Sequence, residues 1–415
     1  MKGLLTSRIR KNIAALMTLQ IGNYIFPLLL VPYLVRVLGL EVFGTWMFAL
    51  AFVIVARTCV TYGFDLTATR QVALNRDRPD VLSELYQAVV IVRLVIWLAC
   101  FAVLLTGMFV VDDLQQVSLL ISLAMLILIG EILFPVWLFQ GAETMALITK
   151  VKLATKAVNL LLVLLLVKNP EDVFLVPLLE AATSLAAGLI ALLVAIRRFD
   201  LRWVPPHISR ISSEFRDGAV VFLAQASVHA YTTINVIILG FLMGPVAVAQ
   251  YSIAEKIYSA VRGILSPIVQ AFFPSMSIKF ENSSAEFRPS LIRLALMIGS
   301  LLTIAALLVV VTADWLVLIV AGQHDEAIII ILRILGFALF FALGAFFGPM
   351  LVAQRRNRLL LQITVIGGVI GIGTIVPLVT LFGVMGAATS FLVVQIYNTV
   401  ALFKAAMRGN RGNMS

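Results

Sequence analysis

Twelve stretches of this chain are apolar for about the length a helix needs to cross a bilayer, on the order of 20 residues each, and they follow one another with little chain between them. They run Ile13 to Val35, Val42 to Phe64, Leu85 to Met108, Val117 to Phe139, Leu153 to Val167 and Val173 to Ile196. After a polar break come Gly218 to Gly240, Val246 to Met276, Leu291 to Ala313, Ile328 to Leu351, Leu361 to Leu381 and Val384 to Phe403. Backbone in hydrocarbon must satisfy its own hydrogen bonds, which long helices do. With 61% hydrophobic and 13% charged residues and a mean hydropathy of +1.06, the chain is too apolar for a soluble fold. The expectation is an all-α polytopic membrane protein with about 12 transmembrane helices.

Lysine and arginine are retained on the cytoplasmic side of a membrane. The amino terminus (Lys2, Arg8, Arg10, Lys11), alternate loops (Arg70, Arg76, Arg78; Arg197, Arg198, Arg202, Arg210, Arg216; Arg355, Arg356, Arg358) and the tail (Lys404, Arg408, Arg411) are basic. The opposite loops hold only Arg36 and Lys168. Both termini are therefore expected in the cytoplasm, in keeping with an even helix count. The net charge of +10 is mostly this topology signal and attraction to anionic headgroups, so no nucleic-acid partner is expected. Cys59 and Cys100 fall inside expected helices, where a thiol behaves as a small hydrophobe; no disulfide, metal site or cofactor is indicated. The basic start leads into an apolar segment too long for a cleavable signal peptide.

The longest loop, roughly Arg197 to Asp217, contains Pro205-Pro206 and divides the chain near its middle. The expected organisation is an N-lobe over 1–200, a cytoplasmic linker over 201–217 and a C-lobe over 218–415. Gly39, Gly44, Trp46 and Arg57 correspond to Gly244, Ala249, Tyr251 and Arg262, each 205 residues on, and Pro135 and Gln140 recur as Pro349 and Gln354, 214 residues on. Two six-helix bundles of the same orientation follow, as in transporters that rock two bundles around a midplane site.

An ionisable residue inside a membrane is a functional-site hypothesis. Arg57 lies about seven residues, roughly 10 Å, from the end of its run, close enough to snorkel. Its repeat equivalent Arg262, with Lys256 before it, favours a shared cavity. Guanidinium grips phosphate oxygens bidentately, so such a pair suits a diphosphate. Arg93 and Glu131 lie at similar depth and either neutralise each other or join the site. Glu255, two turns before Arg262, either tunes that arginine or carries a coupling proton, and Glu131 is a second coupling candidate. Glu180 and Arg333 lie near helix ends, where snorkelling explains them. His229 reads as a hydrogen-bonded core residue before a proton relay. Gln20, Asn23, Tyr24, Gln225, Tyr231 and Asn235 either line a sugar-binding cavity or hold helices together. Pro27, Pro32, Pro135, Pro267, Pro274 and Pro349 sit inside runs and favour kinks. No Walker loop, HExxH or nucleophile set is present, so no catalytic residue is expected.

Asn23-Tyr24 with Pro27, Pro32 to Gly39, Phe43-Gly44, Tyr62-Gly63-Phe64 with Ala68-Thr69-Arg70, Phe134 to Gly141, Tyr251-Ser252 with Ala254-Glu255-Lys256, and Phe273-Pro274 resemble polysaccharide-biosynthesis flippases of the Wzx type. The resemblance spans nearly the whole chain, and Phe134 to Gly141 is its most specific part. It implies the multidrug/oligosaccharidyl-lipid/polysaccharide (MOP) superfamily fold, a MATE-like V-shaped transporter of two six-helix lobes in the bacterial inner membrane. It also implies movement of undecaprenyl-diphosphate-linked oligosaccharide units, O-antigen or another surface polysaccharide, between leaflets, with a polymerase and a chain-length regulator as further partners. Related flippases for lipid-linked peptidoglycan precursors use cavity arginines on the second and eighth helices, where Arg57 and Arg262 fall. One departure is Thr61-Tyr62-Gly63, where many relatives place an aspartate before the Tyr-Gly pair; here Asp65 follows instead.

Three other readings compete. A cation-coupled exporter of the same fold wants carboxylates in the first and seventh helices, which have none. A membrane polymerase or ligase wants a sizeable periplasmic loop. An assembly scaffold would leave Arg57 and Arg262 dispensable.

Overall fold

The structure is a computed structural model that describes residues 7–205, 208–263, 276, 284–354 and 356–407. Among these there are helices and no strand, as backbone without water requires. Nine described helical stretches are long and apolar enough to cross a membrane, which makes this a multi-pass membrane protein. The first, Met17–Leu74, covers the first two expected runs. The fifth and eighth runs are helices as well, Met145–Leu166 and Pro245–Gly263, each carrying three charged side chains.

In chain order the first ten helices are α1 (Ser7–Thr61), α2 (Phe64–Leu74), α3 (Pro79–Val110), α4 (Asp112–Gln116), α5 (Ser118–Leu133), α6 (Val136–Gly141), α7 (Met145–Leu166), α8 (Leu175–Phe199), α9 (Ile208–Met243) and α10 (Pro245–Gly263). Then come α11 (Ser284–Val311), α12 (Ala313–Ala321), α13 (Glu326–Phe340), α14 (Gly344–Ala353), α15 (Asn357–Phe382) and α16 (Val384–Met407).

Two glycines mark the same event twice. Gly39 breaks α1 with φ 76°, and Gly244 separates α9 from α10 with φ 81°. A Cβ at either would meet nothing within 4 Å, so left-handed backbone rather than lack of space calls for glycine there. Their spacing is the offset at which the sequence repeats. The prolines differ: Pro135 follows an extended Phe134 and divides α5 from α6, whereas Pro27 and Pro32 lie inside α1 and Pro349 inside α14. Pro267 and Pro274 lie outside the described residues.

The chain forms two compact units, Met1–Phe26 with Val37–Ala226, and Pro27–Arg36 with Ser227–Ser415. In the first, α5 and α8 touch backbone to backbone. A Cβ at Gly130 would stand 2.3 Å from the Ser184 carbonyl carbon, and one at Gly188 would stand 2.4 Å from the Gly130 oxygen. Ser184 Oγ donates to the Ile127 carbonyl at 2.9 Å. Small residues and hydroxyls of this kind hold helices together where lipid offers no hydrophobic drive. An aromatic cluster around Phe64, Tyr86, Trp137 and Phe139 fills the end of the unit. Tyr62, itself at φ 44°, is stacked by Phe215 and Phe222 at 4.4 and 4.9 Å.

The second unit packs by the same means. A Cβ at Gly367 would lie 2.6 Å from Asn398 Oδ1 and one at Gly386 2.0 Å from the Leu378 oxygen, so α15 and α16 are in contact along their length, and one at Gly371 would lie 2.6 Å from Tyr231 Cβ of α9. Gln395 Nε2 donates to the Tyr258 hydroxyl at 3.1 Å. Arg36 Nη2 donates to the Ile319 carbonyl at 2.6 Å, and Arg333 pairs with Asp314 at 2.8 Å, which supplies a partner where snorkelling was the expectation. Phe109, Val103, Leu296 and Leu381 point outward, as lipid-facing positions require.

Candidate functional site: a charged cavity in the first unit

The first unit encloses a cavity of about 500 Å³ whose walls come from α1, α2, α3, α5, α7 and α8 and the Phe134 break. Seven ionisable side chains line it: Arg57, Asp65, Arg93, Glu131, Lys152, Lys156 and Glu180. Four cations against three carboxylates leave it cationic on balance. Asn23, Thr61, Thr155, Asn159, Thr183 and Ser184 supply neutral hydrogen-bonding groups.

The charges are ordered in pairs. Arg57 of α1 places Nε 2.9 Å from Glu131 Oε2 of α5. Glu131 follows Gly130, the residue that admits α8, so the α5–α8 contact fixes where this carboxylate stands. Arg93 of α3, only 5% exposed, places Nη2 2.8 Å from Asp65 Oδ1, and its guanidinium lies 5.7 Å from the Phe64 ring centre. Asp65 belongs to the first turn of α2, after the turn at Tyr62 and Gly63, where positive φ redirects the chain out of α1. Of the two expectations for Arg93 and Glu131, mutual neutralisation or membership of the site, the pairing differs from the first: Glu131 meets Arg57 and Arg93 meets Asp65, and both line the cavity.

Two cations come from α7. Lys152 Nζ lies 5.0 Å from the centre of the buried Phe134 ring, a cation–π contact. It lies within electrostatic reach of Glu131 and Asp65. Lys156 Nζ donates to Asn23 Oδ1 at 2.7 Å and lies within reach of Glu180. Sequence reasoning missed both lysines. It began the fifth run at Leu153, whereas the helix starts at Met145, and it passed over a charged turn inside an otherwise apolar element. The missed signal was the spacing of Lys152, Thr155, Lys156 and Asn159, which puts polar groups on one helical face.

Of the sequence candidates, Arg57, Arg93, Glu131 and Asn23 meet in this cavity. Glu180 joins them, in place of the snorkelling expected of it. Gln20 and Tyr24 bond to each other on α1, at 3.3 Å. Asn235 is buried in the core of the second unit, donating to the Ala387 carbonyl at 3.4 Å, the helix-holding alternative of its two expectations. The Gln225 side chain lies outside the described residues. His229 Nδ1 is 3.4 Å from Thr233 Oγ1. Lys256 and Glu255 pair at 3.5 Å, and Ser259 Oγ donates to Glu255 at 2.5 Å. Arg262 lies on the same helix, within electrostatic reach of the Tyr231 and Tyr258 hydroxyls. Among the described residues no group of three His, Cys, Asp or Glu side chains is placed to hold a metal.

Such a cavity can hold an anion with several oxygens and, beside it, hydroxyl groups. The family model for polysaccharide biosynthesis proteins matches residues 9–282. The chain is similar to an Escherichia coli (strain K12) protein provisionally named an O-antigen transporter, 29% identical over 409 residues and covering 97% of each chain. A Shigella dysenteriae protein of the same provisional name is 25% identical over 401 residues, covering 95% of this chain and 99% of that one. Among solved structures, an inward-facing MATE family multidrug transporter of the MOP superfamily matches with a TM-score of 0.70 at 15% identity, covering 94% of this chain and 97% of the other. The lipid II flippase MurJ in an inward closed conformation matches with a TM-score of 0.70 at 12% identity, covering 96% and 87%. The fold is that of the MOP superfamily.

Proposed function

The chain belongs to the polysaccharide biosynthesis protein family, and from that premise we propose that it is a flippase of the bacterial inner membrane. It moves undecaprenyl-diphosphate-linked oligosaccharide repeat units, of O-antigen or another surface polysaccharide, from the cytoplasmic to the periplasmic leaflet by alternating access. The names of the curated relatives support this reading. The observation that carries it is the cationic cavity of the first unit, in an otherwise apolar protein. An intramembrane charge is retained where it serves a pathway or ligand.

In this proposal the diphosphate is held through the cations of the first unit, Arg57 and Arg93 among them, with Arg262 and Lys256 of the second unit as further contacts. Asn23 and its neutral neighbours receive sugar hydroxyls while the polyprenyl tail stays in lipid. Glu131 and Glu255 serve as coupling carboxylates, exchanging a proton when the cation beside each, Arg57 or Lys256, changes partner. Twelve membrane helices with both termini cytoplasmic, arranged as lobes 1–200 and 218–415 about the linker 201–217, complete the topology. A polymerase and a chain-length regulator would take over the product. The work is transport, with no bond made or broken by the protein.

A cation-coupled drug exporter fits less well, because a net positive cavity repels cationic substrates. A polymerase or ligase fits less well because the described connections between helices are short. The test is complementation of a flippase-deleted bacterium with wild type, Arg57→Ala, Arg262→Ala and Arg57→Lys at equal membrane expression, scoring surface polysaccharide. Loss of polymer with both alanine variants and weakness with lysine is expected. Full activity in both alanine variants would remove the arginines from the site, and failure of the wild type to restore polymer would overturn the flippase reading.

A further inference from the structure

The four cations of the cavity are not equivalent. Arg57 and Arg93 each already hold a carboxylate, at 2.9 and 2.8 Å. Lys152 and Lys156 have no carboxylate within 4 Å among the described residues; one faces the Phe134 ring and the other a neutral amide. We infer that the anion-binding face of the cavity is α7, with Lys152 and Lys156 as the direct phosphate contacts and the arginines as positioning residues braced by Glu131 and Asp65. This rests on the flippase reading for the biological ligand, but the anion site stands on the geometry alone.

Several observations converge. Lys152, Thr155, Lys156 and Asn159 follow one another at i, i+3, i+4 and i+7, and all four line the cavity. The two lysines are one turn apart, about 5–6 Å between Cβ atoms, so their ammonium groups can meet both phosphates of a diphosphate. A lysine without a directly paired counter-ion inside an apolar protein is unfavourable, and here the nearby carboxylates Glu131 and Asp65 are already engaged by arginines. Among the described residues, two buried polar atoms of the cavity lining also lack partners: Asn159 Oδ1, an acceptor, and Arg93 Nε, a donor on a side chain 95% buried. An acceptor awaiting a donor beside two cations fits a phosphorylated sugar. The phosphates lie on Lys152 and Lys156, and a sugar hydroxyl donates to Asn159.

The test uses the full chain in nanodiscs, with binding of inorganic pyrophosphate, inorganic phosphate and farnesyl diphosphate measured by calorimetry and by thermal shift. Wild type should prefer pyrophosphate to phosphate. Lys152→Met and Lys156→Met should each weaken pyrophosphate about tenfold, the loss of one charge-assisted hydrogen bond, and erase that preference. Their unliganded melting midpoints should not fall, and Lys152→Arg should recover binding. Asn159→Ala should leave pyrophosphate affinity unchanged and weaken a sugar diphosphate. Wild-type affinity for pyrophosphate in both folded lysine variants would overturn the assignment, as would absence of binding by the wild type. Tighter binding of farnesyl diphosphate than of pyrophosphate assigns the site to a lipid-linked headgroup; equal binding assigns it to a soluble anion, with the lysine face intact in both cases. Pyrophosphate binding by a wild type that fails to restore surface polymer would sink the flippase reading and leave the site standing.

Discussion

Two long helices, α7 of the first unit and α15 of the second, are built for opposite purposes. In the first unit α7 turns Lys152, Thr155, Lys156 and Asn159 toward open volume. In the second, α15 has no ionisable side chain from Leu359 to Phe382. Gly367 and Gly371 instead bring its backbone against Asn398 and Tyr231. One of these helices is thus a polar wall and the other a close-packed seam. Charge placed on a helix face keeps neighbours apart for a ligand, and glycine on that face lets them close.

The comparison can be broken most sharply where packing is tightest. Gly386→Val, whose Cβ would meet the Leu378 oxygen at 2.0 Å, should abolish folded protein in detergent, while Thr155→Val on the cavity wall should leave the melting midpoint close to wild type. Overpacking costs about 1–3 kcal/mol and more where backbone must move. Equal yields of the two variants on size-exclusion chromatography would show that the seam is not closed.

Next in size are the ion pairs. Arg93→Met removes the buried partner of Asp65 and should destabilise by about 2 kcal/mol, less than a fully buried pair because Asp65 is 48% exposed. Arg57→Met, from a pair 33% and 41% exposed, should lose about 1 kcal/mol. Adding Glu131→Gln should recover most of the Arg57 loss, and a double-mutant cycle with no coupling would dissolve the pair.

The two hinge glycines sharpen the repeat. Gly39→Ala and Gly244→Ala should each cost about 1–3 kcal/mol, because positive φ at both, with ψ 167° at Gly39, strains an L residue even where the site is uncrowded. Unequal chemical-denaturation midpoints would mean that the two breaks do different work. Smallest is Lys152→Met, expected to raise stability by about 0.5 kcal/mol, because an unpaired charge leaves the interior. A drop in its melting midpoint would mean that the ammonium is part of the scaffold.

Much of the fold was legible from the sequence, because the physics that selects it is local. Run length gives helices, and Gly39 with Gly244 announces the repeat through backbone chirality. The site was legible in part. Arg57, Arg93, Glu131 and Asn23 stood out as polar groups in apolar runs. Their partners did not, since Arg57 meets a residue 74 positions away and Arg93 one 28 positions away, and depth along a helix does not determine which face turns inward. Asn235 shows the converse. It is polar in an apolar run like Asn23, but its face of α9 is the packed one. Lys152 was hidden by a boundary, because a search for apolar runs starts a helix after its charged turn.

The contact of α5 with α8 also says which parts of the cavity can move. Those helices meet backbone on backbone at Gly130, Ser184 and Gly188, with no side chain between them to change rotamer, so they behave as a single rigid plate carrying Glu131. On the other side, α1 meets α7 through a side-chain tip, the Leu153 methyl that a Cβ at Gly22 would strike at 2.3 Å. Paramagnetic labels at the outward-facing Leu126 of α5 and Leu189 of α8 should therefore keep one separation whether or not pyrophosphate is bound, so that any change in the cavity's width falls to the α1–α7 side.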